Sequence, residues 1–132
     1  MNTLYLIRGV PGSGKSTFAY ELKLHNIVNF VFEADDHFIE PDGTYSFDPA
    51  RLKNAHANCQ FKTRDWLSGG YSVAVSNTST TEAEVSTYQK IAEECNARFV
   101  SIVVESRHDG TNIHGVPPEK VEQMRKRFSV KV

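Results

Sequence analysis

The string Gly9-Val10-Pro11-Gly12-Ser13-Gly14-Lys15-Ser16 restricts the fold of this chain more than any other feature, and it satisfies G-x-x-x-x-G-K-[ST] at every specified position. The pattern carries meaning only between a strand and a helix, and both flanks fit. Leu4-Tyr5-Leu6-Ile7 is an apolar run of strand length, while Phe18, Ala19 and Leu22 recur at helical spacing beyond the loop. A phosphate chain needs several backbone N–H groups aimed inward. Glycines permit the tight wrap, and a helix N-terminus beneath it adds partial positive charge. Gly9, Pro11, Gly12, Ser13 and Gly14 supply that wrap here, with Arg8 and Pro11 shaping it. Lys15 is then placed to reach β- and γ-phosphates, Ser16 to hold Mg²⁺ through its hydroxyl, and Thr17 to reach a further phosphate oxygen. The bland alternative is a flexible Gly-rich turn, but a chance match to the whole pattern in a chain this short is rare.

Three further runs of strand length, rich in Val and aromatic residues, cover Ile27 to Phe32, Tyr71 to Val75 and Phe99 to Val104. Helical segments separate them. Asp48-Pro49 opens one of about twenty residues that closes at Gly69-Gly70, and Thr80 or Thr81 opens a second running toward Asn96. Pro117-Pro118-Glu119 opens a last one through Arg127. Strands that alternate with helices predict an α/β protein with a mainly parallel sheet of about four strands.

With 132 residues, the chain is expected to form one domain over 1–132, large enough for a core without disulfide staples. Cys59 and Cys95 form no CxxC pair and have no companion His at metal spacing, which argues against a disulfide framework and a zinc site. No run approaches the roughly 18 apolar residues of a membrane helix, so no membrane partner is expected. The N-terminus lacks a basic n-region and its apolar run is broken by Arg8, so it reads as structural and the expected location is cytoplasmic. A formal net charge of −1 excludes a globally basic nucleic-acid binder and leaves any polyanion contact to local patches.

Beyond the glycine loop, four strings matter: Glu33-Ala34-Asp35-Asp36-His37-Phe38, Gly43-Thr44-Tyr45-Ser46-Phe47-Asp48-Pro49, Ser76-Asn77-Thr78 and Asn112-Ile113-His114-Gly115-Val116-Pro117. With them the chain resembles, over nearly its whole length, the P-loop kinases of the polynucleotide 5′-hydroxyl kinase group, in particular the NEDD4-binding-protein-2-like and phage kinase domains. The resemblance implies a P-loop NTPase fold, ATP or another NTP with Mg²⁺, and transfer of the γ-phosphoryl to a hydroxyl. It also implies that Asp35 takes the proton from the attacking hydroxyl, with Asp36 in support. The placement is physically sound, because ligands of open α/β sheets sit at the carboxyl ends of strands. The competing reading is that Asp35 or Asp36 caps the next short helix, and one of the pair can do each job.

Asn77 resembles the family's Asp- or Asn-containing turn, where it would orient the substrate hydroxyl, the metal water or the loop; otherwise it belongs to a capping turn. The strand Val73-Ala74-Val75-Ser76 ends without the acid that often supports Mg²⁺, which leaves the ion to Ser16, the nucleotide and water. Family members carry a lid arginine just before the Asn-Ile-His string. This chain has Thr111 there, so Arg107 becomes the expected catalytic phosphate contact, with Arg125 and His114 behind it.

The acceptor is less legible. Arg51, Lys53, Lys62 and Arg64 lie in a stretch without acids, and the segment from 119 onward is also basic. Such patches can meet a phosphate backbone, although basic helix faces are commonly just solvated. Tyr45, Phe47 and Trp66 can stack on bases or fill the core. The partner is therefore either a nucleic-acid 5′ end or a small-molecule hydroxyl. A nucleotide-binding switch with weak hydrolysis is the reading from another class.

Overall fold

Strict alternation in β1 (Thr3–Arg8) divides the interior in two: Leu4 and Leu6 enter one apolar cluster, Tyr5 and Ile7 the other. A strand covered on both faces must be central. In the computed structural model, which describes residues 1–79, 81–105, 119–120 and 123–124, β1 pairs in parallel with β3 (Val73–Asn77) on one side and β4 (Arg98–Val103) on the other. β2 (Phe30–Phe32) adds to the far edge of β3, giving the order β2-β3-β1-β4, all parallel. The expected α/β architecture, a four-stranded parallel sheet flanked by helices, is what forms.

The helix α1 (Lys15–Leu24) covers one face through Ala19 and Leu22, which meet Ile7, Val28 and Ala74. The other face is covered by α2 (Leu52–Ser68) and α3 (Glu82–Glu94). Ala55, Cys59 and Leu67 from α2 and Tyr88, Ile91 and Ala92 from α3 pack on Leu4, Leu6, Val73 and Val75. Each fully buried leucine there stabilises the fold by roughly 1.5–3 kcal/mol. No helix among the described residues is long and apolar enough to cross a membrane.

The elements match the sequence pattern in kind and differ at their ends, each time because a turn takes the residues. The strand pattern from Ile27 yields only Phe30–Phe32. Ile27 and Val28 donate their N–H groups back to Leu22 O to close α1, Asn26 sits at φ 61°, and Asn29 exchanges hydrogen bonds with Ser72. β3 starts at Val73 because Gly70 (φ 92°) and the Tyr71 N–H bonded to Trp66 O end α2. Asp48 accepts the Ala50 N–H and opens a 3-10 turn, Pro49–Arg51, before α2 proper. Thr81 caps α3 in a reciprocal box with Glu84. That helix stops at Glu94, short of Asn96, whose φ of 54° leaves the helical region. Of the last predicted helix, Glu119, Lys120, Gln123 and Met124 are described and helical; the remainder of 117–127 lies outside the described residues.

Candidate active site

The loop after β1 is shaped to take an anion. At Gly9 an added Cβ would lie 2.3 Å from Ser13 Oγ and 2.9 Å from Val104 O, so no side chain fits. Gly14 stands at the N-terminus of α1 with φ 94° and ψ 10°, a left-handed conformation that glycine adopts without strain. No acid lies in the first turn of α1 and, among the described residues, no side chain caps it, so its leading amides keep their donors toward that part of the structure. Ser13 Oγ is buried without a hydrogen-bond partner among the described residues. Lys15 is only 8% exposed. Burial pulls its pKa down, and the charges of Glu33 and Asp35 only partly oppose this. A buried ammonium, an orphaned hydroxyl and unspent helix amides together fit a polyphosphate.

Three carboxylates follow β2, and the fold gives them different surroundings. The Ser16 hydroxyl donates to Glu33 Oε1 and lies 3.4 Å from Ser76 Oγ. Asp35 lines the cleft that Lys15 also lines, and its Oδ1 accepts the Tyr45 hydroxyl at 3.2 Å. Burial, then the Asp35 charge, pushes the Tyr45 phenol up to about 12, so Tyr45 stays a proton donor at neutral pH. Asp36 turns back instead: its Oδ2 accepts the Glu33 N–H at 3.0 Å, and its own N–H donates to Glu33 O. The two aspartates thus occupy both the cleft-facing and the capping position.

Burial raises the Asp36 pKa, against the lowering effects of the Glu33 N–H and Lys62. A carboxylate raised on folding binds its proton more tightly in the native state. Its ionisation therefore costs stability as pH climbs from the ordinary carboxylate value through the raised one. Asp36→Asn keeps an oxygen for the Glu33 N–H and removes that cost. Thermal melts between pH 3.5 and 7 are expected to show the variant gaining on the parent as pH rises. A parent that gains on the variant over that range would contradict this account.

Asn77 is 7% exposed. Its Oδ1 accepts the Ala34 N–H at 2.9 Å, and its Nδ2 donates to Tyr88 Oη at 3.3 Å and to Cys59 Sγ at 3.8 Å. The amide therefore ties the end of β3 to the residue before Asp35, and burial holds both the Tyr88 phenol and the Cys59 thiol protonated. Arg8 is pinned across the sheet, its Nε donating to Ser79 O at 3.0 Å, and so it shapes the turn after β3 directly. Burial lowers its pKa, with Glu84 and Glu82 opposing.

The cleft has a volume of about 650 Å³ and opens from Lys15 and Asp35 toward Tyr45, Phe47, His56 and Lys120. Its walls come from segments after β1, β2 and β3, the carboxyl ends of the parallel strands. Tyr45 and Phe47 line it. Trp66 does not: it stacks on Phe30 with ring centres 4.2 Å apart and meets Tyr71 edge-on at 5.4 Å. The basic stretch on α2 is largely engaged with the scaffold, since Arg64 pairs with Glu94 and the Lys62 ammonium lies 5.1 Å from the Phe32 ring centre. Arg51 contacts His37 Nε2 at 3.2 Å.

Sequence reasoning passed over His56 and Gln60, which face the cleft, although Leu52, His56 and Gln60 recur every fourth residue beside the buried Ala55-Cys59-Thr63-Leu67 row. Lys120 belongs in the sequence only to a basic segment, and Glu33 only to the stretch 33–48, whose acids, with no Lys or Arg among them, suggest base and metal work near a phosphate site. Arg107, Thr111, His114 and Arg125 lie outside the described residues.

Residues 4–112 match the AAA_33 family, an AAA domain. The chain is 29% identical over 129 residues to NEDD4-binding protein 2 of Homo sapiens; the match covers 92% of this chain and 7% of that protein. The chain therefore spans a small fraction of this curated relative's length. Among solved structures, a chain of the Pnkp1/Rnl/Hen1 complex superposes with a TM-score of 0.65 at 21% identity, covering 99% of this chain and 40% of the other. The APS kinase CysC of Mycobacterium tuberculosis superposes with a TM-score of 0.62 at 14% identity, covering 96% of each chain. At these identities the structural likenesses show the fold, which is P-loop kinase-like.

Proposed function

Because this chain belongs to the AAA_33 family of AAA domains and has a P-loop kinase-like fold, we propose that it is an ATP-dependent phosphotransferase acting on a hydroxyl, with the 5′-hydroxyl of DNA or RNA as the acceptor. The observation that carries this is the meeting of Lys15 and Asp35 in one cleft. One comes from the loop that fits a polyphosphate and the other from the neighbouring strand end.

In this reading the loop amides, Ser13 and Thr17 bind the phosphates, and Lys15 neutralises charge on the γ-phosphoryl oxygens. Asp35 accepts the proton of the acceptor hydroxyl as the new O–P bond forms and the bond to the β-phosphate oxygen breaks, which releases ADP. Mg²⁺, held by Ser16 and the phosphates, would offset the negative charge on the β- and γ-oxygens. Asp36 and Asn77 act through the backbone around Asp35, and Arg107 is assigned to the transferring phosphoryl group. Catalysis on this scheme is positioning plus electrostatics.

A small-molecule acceptor is the second reading, favoured by two observations. Lys62 and Arg64 of α2 are engaged with the scaffold, and a chain of the APS kinase CysC superposes over 96% of both lengths. The deciding experiment incubates the protein with γ-labelled ATP and Mg²⁺ and offers a 5′-hydroxyl DNA or RNA oligonucleotide, a nucleoside mixture, adenosine 5′-phosphosulfate, or water alone. Label on the oligonucleotide supports the first reading. Label only on a small acceptor replaces it with the second, and phosphate release without any labelled acceptor removes both.

A further inference from the structure

The last two residues of β3, Ser76 and Asn77, bring no negative charge to the Ser16 hydroxyl. Yet that hydroxyl is not without an acid. Among the described residues it donates to one carboxylate, Glu33, which lies at the end of β2.

The register explains the reach. Phe32 is the last β2 residue paired with β3, opposite Val75, so Glu33 and Ser76 are the next residues out on neighbouring strands. Strands lie about 4.8 Å apart. An acid moved from β3 to β2 must bridge that extra distance, and glutamate adds a methylene over aspartate. Ser76 has a short side chain that leaves the path clear, with its Oγ only 3.4 Å from Ser16 Oγ.

Electrostatics shows what must lie beside it. Lys15 is the cation of the loop, and the two carboxylate charges that act on it are Glu33 and Asp35. One ammonium beside two carboxylates leaves no surplus positive charge to balance the charges of a triphosphate. An acid beside the phosphate loop repels that ligand unless a cation stands between them. A hydroxyl that gives its proton to a carboxylate keeps its oxygen lone pairs for such a cation, which is how an outer partner orients and strengthens an oxygen ligand. Hard divalent cations such as Mg²⁺ take this oxygen set together with phosphate oxygens and water.

We propose that Glu33 is the acidic support of the divalent cation in this chain, a carboxylate transferred from the end of β3 to the end of β2, with Ser76 as its compensating small residue. The proposal rests on the nucleotide-binding reading of the loop.

The test reads metal dependence of binding, not turnover. Affinity for the non-hydrolysable analogue AMPPNP is measured by calorimetry in EDTA and across a Mg²⁺ titration, for the parent, Glu33→Gln, Glu33→Ser, and Glu33→Ser combined with Ser76→Asp. Circular dichroism checks that each variant is folded. Glu33→Gln and Glu33→Ser are expected to need about 10- to 100-fold more Mg²⁺ to strengthen AMPPNP binding, the usual effect of removing an outer-shell partner. The double variant, which returns an acid to β3, is expected to recover most of that loss. If Glu33→Gln keeps the parent's Mg²⁺ requirement, or the double variant is no better than Glu33→Ser, the assignment is overturned. A parent that binds no AMPPNP with or without Mg²⁺ overturns the nucleotide reading itself, and is told apart because the variants then have nothing to lose.

Discussion

Asp35→Asn is expected to lower phosphoryl transfer by about 10² to 10⁴, the span usually lost with a positioned general base, while ATP binding stays close to that of the parent. The structure supplies the reason for the split. Asp35 faces the cleft and touches Tyr45. Its backbone is held from behind by the Ala34 N–H on Asn77 and by the Asp36 carboxylate on Glu33. Asparagine preserves the shape and the Tyr45 contact but cannot take a proton. Single-turnover rates with saturating ATP, set beside calorimetric ATP affinity, separate chemistry from binding. If the loss instead fell equally on ATP affinity, Asp35 would be acting on the nucleotide and not on the acceptor.

How much of this was legible in the residues depends on whether local or long-range contacts made the decision. The glycine loop was legible in full, because its pattern encodes local backbone geometry: Gly9 is packed against Ser13 and Val104, and Gly14 adopts a conformation few other residues tolerate. The parallel sheet followed from strand and helix alternation. Strand ends were not legible, because Asn29 and Ser72 meet across the fold, and their hydrogen bonds are absent from any local window. The same applies to the carboxylates. Asp35 and Asp36 are adjacent and chemically identical in sequence, and only the turn after β2 decides which one caps and which one faces the cleft. Asn77 could be named from its position, but its engagement with Ala34, Tyr88 and Cys59 needed three elements to be brought together. Glu33 was legible only as one acid of the stretch 33–48, and its contact with Ser16 was not, for a related reason. A search for an acid at the end of β3 finds Ser76 and Asn77, and nothing local says that β2 is the strand placed beside it.

Lys15→Met carries the other large effect, and it runs in opposite directions for function and stability. Without the ammonium, turnover is expected to fall by about 10² to 10³, comparable to the loss of one charged or hydrogen-bonding group that stabilises a transition state. ATP affinity should weaken as well, because the same group meets the phosphates in the ground state. The ligand-free protein should nonetheless be no less stable than the parent. Lys15 is buried, and burial lowers its pKa despite Glu33 and Asp35. A lysine whose pKa falls on folding weakens the native state as pH drops below its unfolded value, because the charged form is the one disfavoured inside. Below the ordinary lysine value that cost develops in the parent and is absent in the variant, while methionine fills a similar volume. Melting curves without nucleotide are therefore expected to place Lys15→Met at or above the parent near pH 7, with the gap closing as pH approaches about 10.5, the ordinary value for lysine. Adding Mg²⁺ and ATP should reverse the order: at a hundredfold excess over Kd the parent gains about 2.7 kcal/mol from binding, and the variant gains almost nothing. A ligand-free variant that melts well below the parent near neutral pH would mean that Lys15 supports the fold, and the buried ammonium could no longer be attributed to an anion that the loop exists to hold.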